Sequence, residues 1–128
     1  MNIKKFLIQL LINAVAFFVA IQIMQGRGIE PRGEFGWLSY LVLALIFGVI
    51  NAVLRPVLTV LGCPVIILTL GLGVLLINTL LFFLTGVIGD SFGVGFSVDG
   101  FIPAFLGALI VSIIGMFFNW ILRGEMKD

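Results

Sequence analysis

Histidine is absent and cysteine occurs once, so the chain has no ligand set for zinc, haem or an iron–sulfur cluster and no intramolecular disulfide. No cofactor is expected. Charge is nearly as scarce: 10% of residues are charged, against about 25% in soluble domains. The formal net charge of +1 comes with no basic patch able to neutralise phosphates, which excludes nucleic acid as a partner. Asp90 and Asp99 have no base, nucleophile or metal ligand nearby in the sequence and read as solvated loop carboxylates, so no enzyme is expected.

Apolar residues are abundant, at 62%, with a mean hydropathy of +1.32. Together these indicate an integral membrane protein forming one small domain, with the lipid bilayer as its first partner. A helix rising about 1.5 Å per residue needs about 20 apolar residues to cross roughly 30 Å of hydrocarbon. Phe6 to Met24, Trp37 to Leu54 and Phe101 to Leu122 qualify, and the run from Pro56 to Gly89 is uncharged over 34 residues, too long for one span. Lys4 and Lys5 ahead of an apolar run imitate a signal peptide. The run continues past the Ala14-Val15-Ala16 imitation of a cleavage site to Met24, which favours a span.

Residues 10 to 18 read LLINAVAFF and residues 75 to 83 read LLINTLLFF. The first LLIN opens a hairpin that closes with NAVLR at 51–55, and the second opens one that closes with NWILR at 119–123. The expected organisation is an all-α membrane protein with four transmembrane helices, built as two parallel-repeat helical hairpins joined by a bent connector. The segments are hairpin 1–55, connector 56–71, hairpin 72–123 and tail 124–128. Pro56, Gly62, Pro64 and Gly71 interrupt the connector, which predicts two short pieces with a bend, re-entrant or interfacial, packed against the spans. Within it, Val60-Leu61-Gly62-Cys63 imitates a lipoprotein box but is internal. Thr69-Leu70-Gly71-Leu72-Gly73 echoes a carbonyl-lined filter and is better read as the turn that opens the third span.

Orientation follows from lysine and arginine placement. Lys4, Lys5, Arg55, Arg123 and Lys127 share one side, whereas Arg27 and Arg32 lie opposite beside Glu30 and Glu34. Both termini are therefore expected in the cytoplasm of a cell bounded by this membrane.

Asn13, Asn51, Asn78 and Asn119 are the candidate intramembrane polar network. Counted from the cytoplasmic ends, Asn13 and Asn78 lie roughly 10 Å deep and Asn51 and Asn119 about 6 Å. Amides there either join helices, at about 0.6 to 2 kcal/mol each, or line a polar path or lipid-headgroup cleft. Arg55, the lone charge between Glu34 and Asp90, either anchors at lipid phosphates or caps the connector. Small residues recur every fourth position as Ala44, Gly48 and Ala52 and as Ala104, Ala108 and Ser112, with Gly107 and Gly115 close by. These faces let backbones approach, and are expected as seams inside the chain more than as homo-oligomer contacts. Phe92, Val94, Phe96 and Val98 alternate with small or polar residues, which predicts an extended piece with one apolar face on the membrane surface.

Asn51-Ala52 with Arg55-Pro56, Pro64 before Thr69-Leu70-Gly71-Leu72, Ile77-Asn78, and Asp99-Gly100-Phe101 leading to Ala104, Gly107-Ala108 and Ser112 give the chain its resemblance. With these residues it resembles the four-span phage holin family of superfamily IV, also called YvlD-like, over nearly its whole length. The resemblance implies a small bacterial inner-membrane protein with four spans and holin-like or envelope-associated function. A small-solute channel or transporter and a lipid-interacting accessory protein are the alternatives. The glycine-rich GDSFGVGF loop departs from the family pattern.

The charge asymmetry is testable by thiol labelling of intact cells. In a Cys63→Ser background, Gly33→Cys and Ser97→Cys are expected to react with an impermeant reagent and Lys127→Cys to stay unlabelled. Labelling at 127 rejects the assigned orientation.

Overall fold

The computed structural model describes residues 3–32 and 36–126, the last two of these by backbone alone. Gly33, Glu34 and Lys127, used above in the charge argument and the labelling positions, lie outside the described residues. Helix α1 runs Ile3–Met24, α2 Trp37–Leu61, α3 Cys63–Leu68, α4 Gly73–Ser91 and α5 Phe101–Met126, with short strands β1 at Ile29–Pro31 and β2 at Phe96–Val98. Four of the helices are long and apolar enough to cross a membrane.

Each boundary has a local cause. Helix α1 stops where Gly26 takes φ 82°, and Arg27 Nη1 donates to the Ile23 carbonyl at 2.6 Å, offsetting the negative end of the helix. Helix α2 starts where Ser39 N–H donates to Gly36 O at 3.0 Å while Ser39 Oγ accepts from Gly36 N–H at 3.2 Å. It then passes through Pro56 and ends at Leu61, capped by Gly62 N–H donating to Leu58 O at 2.8 Å. The second span, expected to end at Leu54, therefore continues about two turns further, because a single proline removes one ladder bond that the rest of a long helix outweighs. Pro64 sits in the first turn of α3, where no N–H is needed. At the other end α5 continues through Gly124 to Met126, so the segment assigned as a tail begins as helix.

The connector is one six-residue helix and a turn. Ile66 packs on the start of α4, where a Cβ added at Gly73 would lie 3.1 Å from its Cα. The turn places Leu70 at φ 57° and Gly71 at φ 96°, and Gly73 N–H donates to Thr69 Oγ1 at 2.8 Å. This is the helix-opening turn anticipated for residues 69–73.

Helix α1 packs on α2 and α5, and α4 packs on the same two helices from the opposite side. Strands β1 and β2 pair antiparallel, with Ile29 opposite Val98, Glu30 opposite Ser97 and Pro31 opposite Phe96. They follow α1 and α4 respectively, so those two helices end at the same face of the bundle and run the same way. Of the period-two segment, Phe96–Val98 pairs with β1 and Phe96 turns inward, only 4% exposed, whereas Phe92 lies in the turn after α4 and is 68% exposed. Pairing satisfies the strand's amides, and the core offers Phe96 ring contacts that lipid does not. Arg32, just past β1, donates its N–H to Gly95 O at 2.9 Å and bonds Asp90 Oδ2 at 3.2 Å. An acid at the end of α4 is unfavourable by dipole; the exposed ion pair offsets this, for at most about 1 kcal/mol.

The bundle axis is filled by aromatic rings. Phe17 and Phe82 stack at 5.5 Å with an interplanar angle of 7°, Phe47 meets Phe17 edge-on at 5.1 Å, and Phe96 lies 4.8 Å from Phe82. Such pairs are worth about 0.5 to 1.5 kcal/mol each beyond burial. Helix α5 reaches this cluster because residue 107 is glycine: a Cβ there would lie 2.6 Å from Phe82 Cζ and 2.7 Å from Ile29 Cδ1. The outward faces remain apolar, as at Val53 (60% exposed) and Trp120 (63%), which suits them to lipid.

Gly107→Ala is expected to lower thermal stability in detergent by about 1 to 3 kcal/mol through overpacking. Gly115, with nothing within 4 Å of an added Cβ, is the control, and Gly115→Ala is expected to be neutral or mildly stabilising. Equal melting temperatures for the two variants would show that the close approach at 107 contributes nothing.

Candidate intramembrane polar site

Four residues on a helix bring a side chain back to nearly the same face, one turn along. Asn13 precedes Phe17 by four residues, Asn78 precedes Phe82 by four, and Asn51 follows Phe47 by four. Since those rings form the core layer, the three asparagines share its inward side one turn toward the connector end. Asn51 Nδ2 donates to Phe47 O at 2.7 Å. Asn119 Nδ2 makes the corresponding bond to Gly115 O, also at 2.7 Å.

Arg55 links two of them across the α2–α4 seam. Its Nε donates to Asn51 Oδ1 at 2.8 Å and its Nη2 to Asn78 Oδ1 at 2.5 Å. The side chain runs back along α2 toward the aromatic layer, as helix geometry directs. Asn51, Arg55 and Asn78 are all half-buried, beside a packed apolar seam of Ile50, Ile77 and Leu81. Arg55 lies 18 residues from Trp37, about 27 Å along α2. With Trp37 at one interface, that level falls just inside the far edge of a hydrocarbon layer about 30 Å thick.

The other candidates divide between core and surface. Asn13 is 8% exposed and accepts from Gln9 Nε2 at 3.1 Å; among the described residues it shares no bond with Arg55 or Asn78. Ala44, Ala104, Gly107 and Ala108 are buried and Ser112 half-buried. Gly48 and Ala52 are not closed into a seam: Gly48 is half-buried and Ala52 exposed, and both line a lateral groove of about 260 Å³ with Gln9 and Asn13. A second groove of about 670 Å³ lies between the same helices, where Gln22 Nε2 donates to the Tyr40 hydroxyl at 3.3 Å. Asp90 is occupied by Arg32, and Asp99 N–H closes the turn into α5 by donating to Gly28 O at 2.7 Å.

Sequence reasoning passed over Gln9 and Gln22, although an amide in an apolar run was the signal that singled out the asparagines. It also left Phe17 and Phe82 without a role, although they hold the same position in the two nine-residue segments.

The family model described as "Mycobacterial 4 TMS phage holin, superfamily IV" matches residues 4–117. An uncharacterized protein of Streptomyces coelicolor is 40% identical, with 98% of each chain covered. The uncharacterized membrane protein YvlD of Bacillus subtilis is 28% identical, with 85% of each chain covered. No solved structure matches the chain.

Asn78→Leu leaves a charged donor unpaired and is expected to cost about 1.5 to 3 kcal/mol, whereas Asn13→Leu is expected to cost about 1 kcal/mol or less. Detergent unfolding of the double variant should give the sum of the two within about 0.5 kcal/mol, because separate bonds do not couple. Strong non-additivity would reveal a shared network.

Proposed function

The chain belongs to the four-span phage holin family of superfamily IV, and from that premise we propose a holin-like, non-enzymatic membrane protein whose single chain is a sealed bundle. It resides in the bacterial inner membrane with both termini in the cytoplasm, a placement that rests on the charge asymmetry described above. The observation that carries the sealed reading is the aromatic cluster. Phe17, Phe47, Phe82 and Phe96 occupy the space between the four long helices within 5.5 Å ring-to-ring steps, so the axis holds carbon where a pore would hold water. Two grooves open sideways between α1 and α2, and another of about 310 Å³ lies between α4 and the start of α5. Away from the helix ends the long helices carry a single charge, Arg55, and a wide aqueous hole lined by such surfaces is unfavourable.

The two-copy organisation belongs to this proposal. It is supported by the stacking of Phe17 on Phe82 from equivalent positions and by the matching carbonyl bonds of Asn51 and Asn119. A passage larger than an ion would have to form between copies, through homo-oligomers. Gly48 and Ala52 are two of the small residues left open for such contact.

Purified protein in liposomes, loaded with dyes of graded size, is expected to pass ions or very small solutes at most. Abrupt release of a protein-sized marker, abolished by Gly48→Leu in protein that still folds and inserts, would reject the sealed reading in favour of a lesion-forming holin.

A further inference from the structure

Arg55 has more hydrogen-bonding capacity than its neighbours use. A guanidinium carries five N–H donors, of which the Nε bond to Asn51 and one Nη2 bond to Asn78 occupy two. Both acceptors are neutral amides, so the charge is solvated but not neutralised. Every buried side-chain nitrogen or oxygen among the described residues has a partner. Arg55 Nη1 and Asn78 Nδ2 have none, and therefore both reach the surface. The oxygen of Asn78 is fixed toward Arg55, since a guanidinium cannot accept, and this turns the Asn78 amide nitrogen outward as a further donor. Asn51 has its oxygen on Arg55 and its nitrogen on Phe47 O, so it adds no acceptor to the opening. The side-chain groups that Asn51, Arg55 and Asn78 leave unused are thus donors, around one positive charge.

Among the described residues no carboxylate pairs with that charge. The segment from residue 35 to residue 89 contains no acid. On α5, Gly107 packs on Phe82, so the level of Asn78 falls near residue 111. Glu125 stands 14 residues further along, about 21 Å away on the helix axis. The flanks are apolar and exposed: Val57 (52%) and Val53 (60%) on α2, and Leu76 (51%) on α4.

We propose that Arg55 and Asn78 form a binding site for a phosphate oxyanion at the connector end of the bundle. The planar fork of arginine matches the oxygens of a phosphate, and an unpaired cation at this depth gains from an anion what it loses by leaving water. The phosphate is carried either on a lipid headgroup, whose chains would lie along the exposed valines and leucines, or free in solution.

The test uses the full chain purified in a non-ionic detergent, with retained ligand measured by native mass spectrometry and stabilisation by thermal unfolding. Phosphatidylglycerol is expected to be retained and to raise the melting temperature, and uncharged diacylglycerol to do neither. Arg55→Gln and Asn78→Asp should each weaken phosphatidylglycerol retention by about tenfold or more, the loss of one charge-assisted contact. Arg123→Gln should leave it unchanged. Asn78→Asp decides the matter if Arg55→Gln does not fold, because the new carboxylate satisfies Arg55 from within and should preserve the bundle while closing the site. Stabilisation by inorganic phosphate that matches or exceeds that of the lipid, and vanishes in Asn78→Asp, places the anion in solution; its absence beside lipid binding places it on a headgroup. Unchanged retention in Asn78→Asp, equal retention of diacylglycerol, or failure of Asn78→Asp to fold would each overturn the proposal.

Discussion

In hydrocarbon, apolar side chains gain nothing by leaving lipid for one another, so helices associate only where contact is closer than lipid can offer. The stack of Phe17 on Phe82 meets this condition, and much of the structure is arranged around it. Two helices that do not touch along their backbones are joined through these rings. Helix α5 can close on them because Gly107 has no side chain, and Phe96 enters over α4 because Gly86 has none: a Cβ there would lie 2.7 Å from the Phe96 ring. The strand pair follows from the same contact, since bringing Phe96 inward carries its segment against β1.

The two ends of the bundle meet different physical demands. At the sheet end, irregular backbone is satisfied by strand pairing, by Arg32 reaching Gly95 O and by Asp99 closing on Gly28. At the connector end, the polar load is concentrated in side chains. An arginine is held there by amides, and helix and turn segments leave a rim of apolar surface, including Leu68 (82% exposed) and Leu70 (95%). A membrane protein with its axis packed and its charge turned sideways is organised to interact with what surrounds it in the plane of the bilayer. This is the physical link between the sealed bundle and the phosphate site.

Much of this was legible in composition and spacing. Scarce charge and uninterrupted apolar runs determine four spans whatever the tertiary structure, because the bilayer accepts little else. The asparagines stood out for the same reason, since an amide in an apolar run has to be answered by something. Period two in residues 92–98 announced extended backbone, which forms at Phe96–Val98 and gives way to a turn at Phe92 and Gly93; Thr69 to Gly73 announced a helix-opening turn.

Which groups answer one another was decided only in three dimensions. Asn13 and Asn78 occupy equivalent places in their segments, yet Asn13 is met by Gln9 four residues away on its own helix, a bond that local spacing allows, and Asn78 by Arg55 of α2, a pairing that only helix packing brings about. The face of Phe96 was readable and its direction was not, since alternation gives two faces and only the β1 pairing and the open core select the inner one. Pro56 is a helix breaker by residue type and lies within α2, because one lost backbone bond is small against the packing of a long helix. Sequence by itself determined what must be buried in lipid; the tertiary structure decided which polar atoms remain unanswered, since that depends on distances between helices that no single segment encodes.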